Sequence, residues 1–251
     1  MYVMKTIQLE PHDPVVVLRL SRGVTNAINL EMVSELSDAL ADVADKYRGL
    51  ILAGGNKFFS IGLDLPALVR LDRDRMADFL SRFHQVILSL YTLPIPTACA
   101  MSGHATAGGT ILALGCDYRF ITRGKCLMGL NEIRIGLPVP YLVDLLLRQI
   151  VGDRVATEMA YTGELVGPEQ ADASGLVDRI FSKADLEPRA IEKIAGIASS
   201  RPDAFSLIKK SRVKAIEQSY RQYAESSQVE FLDCWFQPEV RQLLRLAAEK
   251  Y

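Results

Sequence analysis

"PIPTACAMSGHATAGGTILALGCDYRFIT", Pro94 to Thr122, decides the architecture. "PIPTACAMSG" reads as a strand that closes in a turn. "GGTILALG" has the composition of a helix, and "DYRFIT" reads as the next strand. A strand, a short helix and another strand in quick succession imply an α/β layered core. Gly108 and Gly109 stand where the chain enters the helix, so bare backbone N–H groups there can face a ligand.

Toward the amino end, "TIQLE" and "VVVLRL" are β-type runs separated by the turn-rich "PHDP", which suggests a hairpin. Asn29 is placed to cap a helix from Leu30 to about Ala44, because Leu30, Val33, Leu36, Leu40 and Val43 keep helical spacing. "GLILAG" follows as a strand. The polar stretch "GGNKFFSIGLDLPALVRLDRDRM" then merges into a helix ending near Leu90.

Toward the carboxyl end, "CLMGL" and "GLVDRIF" read as strands, and a helix covers about Tyr141 to Gln149. From Leu186 onward only helical patterns remain. The expected division is an α/β core over residues 1–195 and a helical region over 196–251. In the last helix, Val240, Leu243, Leu244 and Ala247 form an apolar stripe, which must fold back on its own core or pack on a neighbouring subunit.

Composition narrows the function. The 29 basic and 30 acidic residues give a net charge of −1 with no long run of either sign, which argues against nucleic-acid binding. Cys99, Cys116, Cys126 and Cys234 show neither C-x-x-C spacing nor a Cys/His group, so they read as buried small hydrophobes and no metal site is expected. The amino-terminal run lacks an apolar signal core, no stretch suits a membrane span, and the closing "AEKY" is not a peroxisomal address; a soluble cytoplasmic protein is expected.

Several chemistries fall away. "GHATAGGT" comes close to a P-loop, but Gly109 stands where the phosphate-binding lysine belongs. No G-x-S-x-G elbow occurs in a chain whose histidines are His12, His84 and His104. Ser102 reads as a turn residue. His104 reads as a structural histidine in preference to a pocket-lining one. What remains is backbone electrostatics and one acid. "FFSIGLDL" and "ATAGGT" are two glycine-bearing loops that can each aim one N–H at a single oxygen, an oxyanion hole. "CLMGLNEIRIGLPVP" sets Glu132 among apolar residues, where a raised pKa suits proton transfer; the competing reading is a surface glutamate paired with Arg134, toward which the local sequence leans slightly.

These motifs in this order resemble the enoyl-CoA hydratase/isomerase (crotonase) superfamily over most of the chain: "RGVTNAIN", "GGNKFFSIGLDL", "SGHATAGGTILALGCDYRF" and "MGLNEIRIGL". The resemblance implies a spiral of ββα repeats with a helical C-terminal trimerisation region, and a homotrimer or homohexamer. It implies an acyl-CoA ligand, with coenzyme A as part of the substrate and no separate cofactor. Carried over by position, the main-chain amides of Leu63 and Gly108 form the oxyanion hole and Glu132 is the acid/base. The loop Ile61, Gly62, Leu63, Asp64 and Leu65 lines the thioester channel, with Asp64 in a structural role, and Asn131 contacts substrate.

The resemblance also bears on which reaction is expected. Hydratases of the family carry two glutamates that hold a water; here Glu132 matches one and Ile111 occupies the other's place. Moving a double bond from C3 to C2 needs one base, so the chain is similar in its motifs to the Δ3-Δ2-enoyl-CoA isomerases. Pro140 stands where dienoyl-CoA isomerases carry an aspartate, which disfavours that subgroup. Hydration or another crotonase-type lyase reaction, and a non-catalytic acyl-CoA-binding subunit, are the alternatives.

Overall fold

The computed structural model describes residues 4–250; residues 1–3 and 251, on which the reading of the termini partly rests, lie outside the described residues. Strands β1 (Ile7–His12) and β2 (Val15–Leu20) form the expected antiparallel hairpin, with Ile7 opposite Leu20 and His12 opposite Val15. The turn is confined to Asp13 and Pro14, so Pro11 and His12, expected in the turn, belong to β1. Helix α1 (Leu30–Lys46) starts where predicted: the Asn29 side chain accepts a hydrogen bond from the Met32 amide at 3.0 Å. Its buried stripe is Met32, Val33, Leu36, Ala39, Leu40 and Val43.

From there the chain repeats one move: a strand in a large sheet, a very short strand in a second sheet, then a helix. The first round is β3 (Gly49–Ala53), β4 (Phe58–Ser60), and helices α2 (Leu65–Leu68) and α3 (Arg73–Thr92). The second is β5 (Thr97–Met101), β6 (His104–Thr106) and α4 (Gly108–Leu114). The third is β7 (Tyr118–Thr122), β8 (Met128–Gly129), a 3₁₀ turn Glu132–Ile135 and α5 (Tyr141–Thr162). Helix α6 (Pro168–Ala173) precedes β9 (Arg179–Phe181). Among the described residues the large sheet has the order β1-β2-β3-β5-β7-β9, parallel after the hairpin, and the small parallel sheet is β4-β6-β8. This is the ββα spiral that the motifs implied.

Two differences from the sequence reading have physical causes. Strand β6 is too short to display an alternating pattern, so "GHAT" reads as loop. The helix predicted to end near Gln149 reaches Gly152, whose φ of 77° and ψ of 161° are non-helical; this joint divides α5 into two helical pieces, and the second, running to Thr162, is not read from the sequence.

Both faces of the large sheet are covered, which explains why β2, β3 and β5 are nearly continuous apolar runs. On one face, helix α7 (Leu186–Ala198) sets Leu186, Ala190 and Ile194 against Val15, Val17, Ile51 and Ala98. On the other lie α1, α3 and the rest of the core. The 195/196 division therefore falls inside α7.

The remaining helices are α8 (Pro202–Trp235), against α3 and α5, and α9 (Pro238–Ala248), against α2 and the 3₁₀ turn. A buried ion pair ties α8 down: Lys209 Nζ donates to Asp117 at 2.8 Å and to the Ile95 carbonyl at 3.1 Å. The stripe on α9 folds back on the chain's own core. Val240 and Leu244 are buried, contributing about 2 kcal/mol each, while Leu243 stays 43% exposed. Among the described residues no helix is long and apolar enough to cross a membrane.

Candidate active site

Two loops are pressed together at the amino ends of α2 and α4. Asn26, at φ 47°, accepts from the Arg22 amide at 2.8 Å and donates to the Phe59 carbonyl at 3.1 Å, fastening the first motif to β4. Ser60 Oγ donates to the Asn26 carbonyl, and the Gly62 amide donates to Ser60 Oγ. Ile28 then pairs with Leu63 in a parallel bridge: its N–H donates to the Gly62 carbonyl and its carbonyl accepts from Asp64. Strand alternation turns the peptide groups of Leu63 itself away from Ile28. The Leu63 nitrogen lies beside the second loop, 3.3 Å from where a Cβ on Gly108 would stand, while the Leu63 carbonyl accepts from the Leu65 amide at 2.8 Å.

That closeness dictates glycine. Gly62 has φ +102°, and a Cβ there would lie 2.9 Å from the Thr106 carbonyl and 3.0 Å from the Gly108 nitrogen. Thr106 Oγ1 donates to the Ile61 carbonyl at 2.8 Å, clamping the pair. Ala107 precedes α4 at φ 47° and ψ −117°, a strained conformation costing about 1–3 kcal/mol for a residue with a Cβ. Its amide is held by the Gly129 carbonyl at 2.9 Å. The strain turns the following peptide so that the Gly108 N–H opens α4, where no intrahelical acceptor exists for it. Asp64 holds the loop: it caps α2 through the Ala67 amide at 3.1 Å and pairs with Arg22 at 2.7 Å, its carboxylate outside the cavity lining.

Beside the loops lies a cavity of about 210 Å³. Its walls include Ile61, Leu63 and Leu65 from the first loop, Leu80 and Phe83 from α3, and Ile111 from α4. Phe231 of α8 and Ala247 of α9 complete it. Glu132 and Asn131 enter from the 3₁₀ turn, which Gly136 closes in the left-handed conformation at φ 76°.

Glu132 is 6% exposed, and its Oε2 has no hydrogen-bond partner among the described residues. Burial pushes its carboxyl up to about 7, against a smaller opposing pull from its own backbone N–H. The surface pair with Arg134 does not form, because Arg134 donates instead to the Thr162 carbonyl. Among the described residues lining the cavity Glu132 is the one carboxylate, and Ile111, buried on α4, lines the same cavity.

His104 is structural, as expected: its Nδ1 accepts from the Leu127 amide at 3.1 Å and its ring leans on Phe58. Ser102 donates to the Gly55 carbonyl across the turn. Sequence reasoning misses His84, which lines the cavity from α3. Its ring is buried, Nε2 has no hydrogen-bond partner among the described residues, and burial lowers its pKa to about 4. An unpaired buried polar group of this kind costs about 1–3 kcal/mol. The one signal in the sequence is a histidine at helical spacing within the run Phe79, Leu80, Phe83 and Ile87.

Comparisons with known proteins agree with this fold. A putative enoyl-CoA hydratase of Thermus thermophilus is 36% identical over 214 residues, covering 81% of each protein. Human mitochondrial enoyl-CoA delta isomerase 1 is 29% identical over 185 residues, 72% of this chain and 61% of that protein. The crystal structure of human mitochondrial delta3-delta2-enoyl-CoA isomerase superposes with a TM-score of 0.94 at 25% identity, over 98% of both chains. A family model described as enoyl-CoA hydratase/isomerase matches residues 10–249, and with the ββα spiral and the paired glycine loops already in place, this chain belongs to the enoyl-CoA hydratase/isomerase family.

Proposed function

We propose that this chain is an enoyl-CoA isomerase that moves a C3 double bond to C2 with Glu132 as its single acid/base. The observation that carries the reading is a cavity lined by one carboxylate, Glu132, and by Ile111. The thioester carbonyl accepts from the amides of Leu63 and Gly108, and the acyl chain lies in the cavity with Asn131 against it. Glu132, ionised, removes a proton from C2. The C2–H electron pair becomes the C1–C2 double bond of a dienolate, whose negative oxygen the two amides hold. The thioester carbonyl then re-forms, the C1–C2 pair shifts to become the C2–C3 double bond, and the C3–C4 pair takes the proton back from Glu132 at C4. A carboxyl near pH 7 can do both jobs at similar driving force. Ile111 keeps water off the intermediate.

Coenzyme A enters as part of the substrate, and no separate cofactor takes part. Assembly as a homotrimer or homohexamer is supported by Leu207 and Ile208 on α8, which remain 67% and 62% exposed. A second reading, hydration of 2-enoyl-CoA, is favoured by the 36% identity to a hydratase-named relative.

A panel of acyl-CoA thioesters in deuterated water separates the two. Isomerisation predicts 2-enoyl product from 3-enoyl-CoA, with label followed at C2 and C4 and part of the C2 hydrogen recovered at C4. Below about pH 7 the rate rises about tenfold per pH unit and then levels off, since the ionised carboxylate is the base. Faster appearance of 3-hydroxyacyl-CoA from 2-enoyl-CoA overturns the reading. Ile111→Glu restores the second carboxylate's position and is expected to gain measurable hydration, checked by loss of the 2-enoyl absorbance; no gain means pocket shape, and not the missing acid, blocks water addition.

A further inference from the structure

Two side chains with unpartnered polar atoms line the cavity, Glu132 on the 3₁₀ turn and His84 on α3. The proposed reaction employs the first and has no step for the second. His84 is 5% exposed, and its ring rests against Phe83 at 6.3 Å and edge-on to Tyr220 of α8 at 6.2 Å. No ion pair or hydrogen bond reaches the ring among the described residues. Burial alone acts on its titration and keeps it neutral at physiological pH.

An imidazole is an odd choice for this wall. The buried residues beside it on α3, Leu80, Phe83, Ile87 and Leu88, are all apolar. Leucine or methionine in the same place fills similar space, favours the helix and leaves no polar atom dry. A polar group kept there at a cost to stability calls for a partner, and a ligand in the cavity it lines can supply one.

The position says which part of a ligand that partner belongs to. The 3₁₀ turn bearing Glu132 packs on α5 and α9, whereas the wall bearing His84 is where α3 meets α8. With the thioester on the two loops and C1 to C4 at Glu132, as proposed above, a His84 on the separate α3 wall of the same cavity is placed for a part of the acyl chain beyond them. A neutral imidazole offers one donor and one acceptor, which suits a hydroxyl or a ketone oxygen and not a methylene.

We propose that His84 is a specificity residue that hydrogen-bonds an oxygen substituent on the distal acyl chain, so that the preferred substrate is a hydroxy- or oxo-acyl-CoA and not a plain alkyl one. This rests on the acyl-CoA reading above.

The test uses saturated, unreactive acyl-CoA thioesters of one medium chain length, with plain, hydroxyl-bearing and oxo-bearing members walked along positions beyond C4. Binding to wild type, His84→Leu and His84→Gln is measured by calorimetry. At one position an oxygenated member is expected to bind wild type at least about tenfold more tightly than the plain chain, the scale of one well-made hydrogen bond. His84→Leu brings that ratio to about one and melts at a higher temperature without ligand, whereas His84→Gln, which keeps a donor and an acceptor, retains part of the preference. The proposal is overturned if wild type binds the plain chain as tightly as every oxygenated one, or if His84→Leu keeps the preference. Failure of every thioester to bind removes the acyl-CoA reading as well; plain binding without any oxygen preference removes this inference alone.

Discussion

Glu132→Gln lowers the isomerisation rate by about 10³-fold or more while acyl-CoA affinity stays within about threefold. The amide has nearly the carboxylate's shape, so the cavity and both glycine loops stay as they are, but it cannot accept a proton from C2. Steady-state kinetics and calorimetry on the same preparation check the two halves. Substantial residual turnover would assign the proton to another group, and parallel loss of binding would make Glu132 a packing residue.

The same variant has a signature in stability. The folded-state pKa of Glu132, about 7, lies above its ordinary 4.5. Its contribution to stability is therefore fully present below about pH 4.5 and lost as the pH rises through about 7, because the native state then ionises a carboxyl it has buried. The loss amounts to about 3 kcal/mol for this group, and Glu132→Gln, which has nothing to ionise, escapes it. Denaturant melts at pH 5 and pH 8 show it: the wild type weakens relative to the variant across that window. Identical pH dependence of the two proteins would mean that Glu132 is better solvated than its place in the cavity implies.

Gly109→Ala is expected to destabilise the protein by about 3 kcal/mol and to lower turnover by about 10²-fold. The new Cβ would stand 2.3 Å from the Ser60 carbonyl oxygen and 3.1 Å from its carbonyl carbon. Both belong to the backbone of β4 and cannot swing aside, so α4 must lift off the strand. The Gly108 amide moves with it, out of line with Leu63. Gly196→Ala is the control: it lies within α7, nothing is within 4 Å of the added carbon, and a gain of about 0.5–1 kcal/mol is expected. Thermal melts of both variants beside the wild type decide it. A Gly109→Ala protein with native stability would show that the loops tolerate more separation than their contacts suggest.

How much of this is legible in the sequence differs by element. Strands β2, β3, β5 and β7 and helix α1 announce themselves, since burial on both faces or one face writes a plain apolar pattern. Strands β4 and β6 do not, because three residues hold no period and their order depends on pairing, whereas β8 is the short centre of the strand read over "CLMGL". The motifs suggest that Leu63 and Gly108 meet, but spacing along the chain does not require it. Their meeting depends on the bridge to Ile28 and the positive φ of Ala107. Local sequence around Glu132 leans the wrong way, toward Arg134. The burial that sets its proton affinity comes in part from walls built far along the chain. His84 escapes notice because a single polar residue in a helical stripe gives no sign of whether its partner is another side chain.

Those distant walls have a temporal meaning. Phe231 and Ala247 enclose a cavity whose acid is Glu132. During synthesis the sheet and both glycine loops emerge first, with the carboxyl still wet and ordinary in its acidity. Docking of the final helices, which supply Phe231 and Ala247, is expected to complete the enclosure that raises its proton affinity. On the proposed reading, competence is then the last property the folding polypeptide gains, and a molecule whose last helix has come loose is expected to lose it before its scaffold.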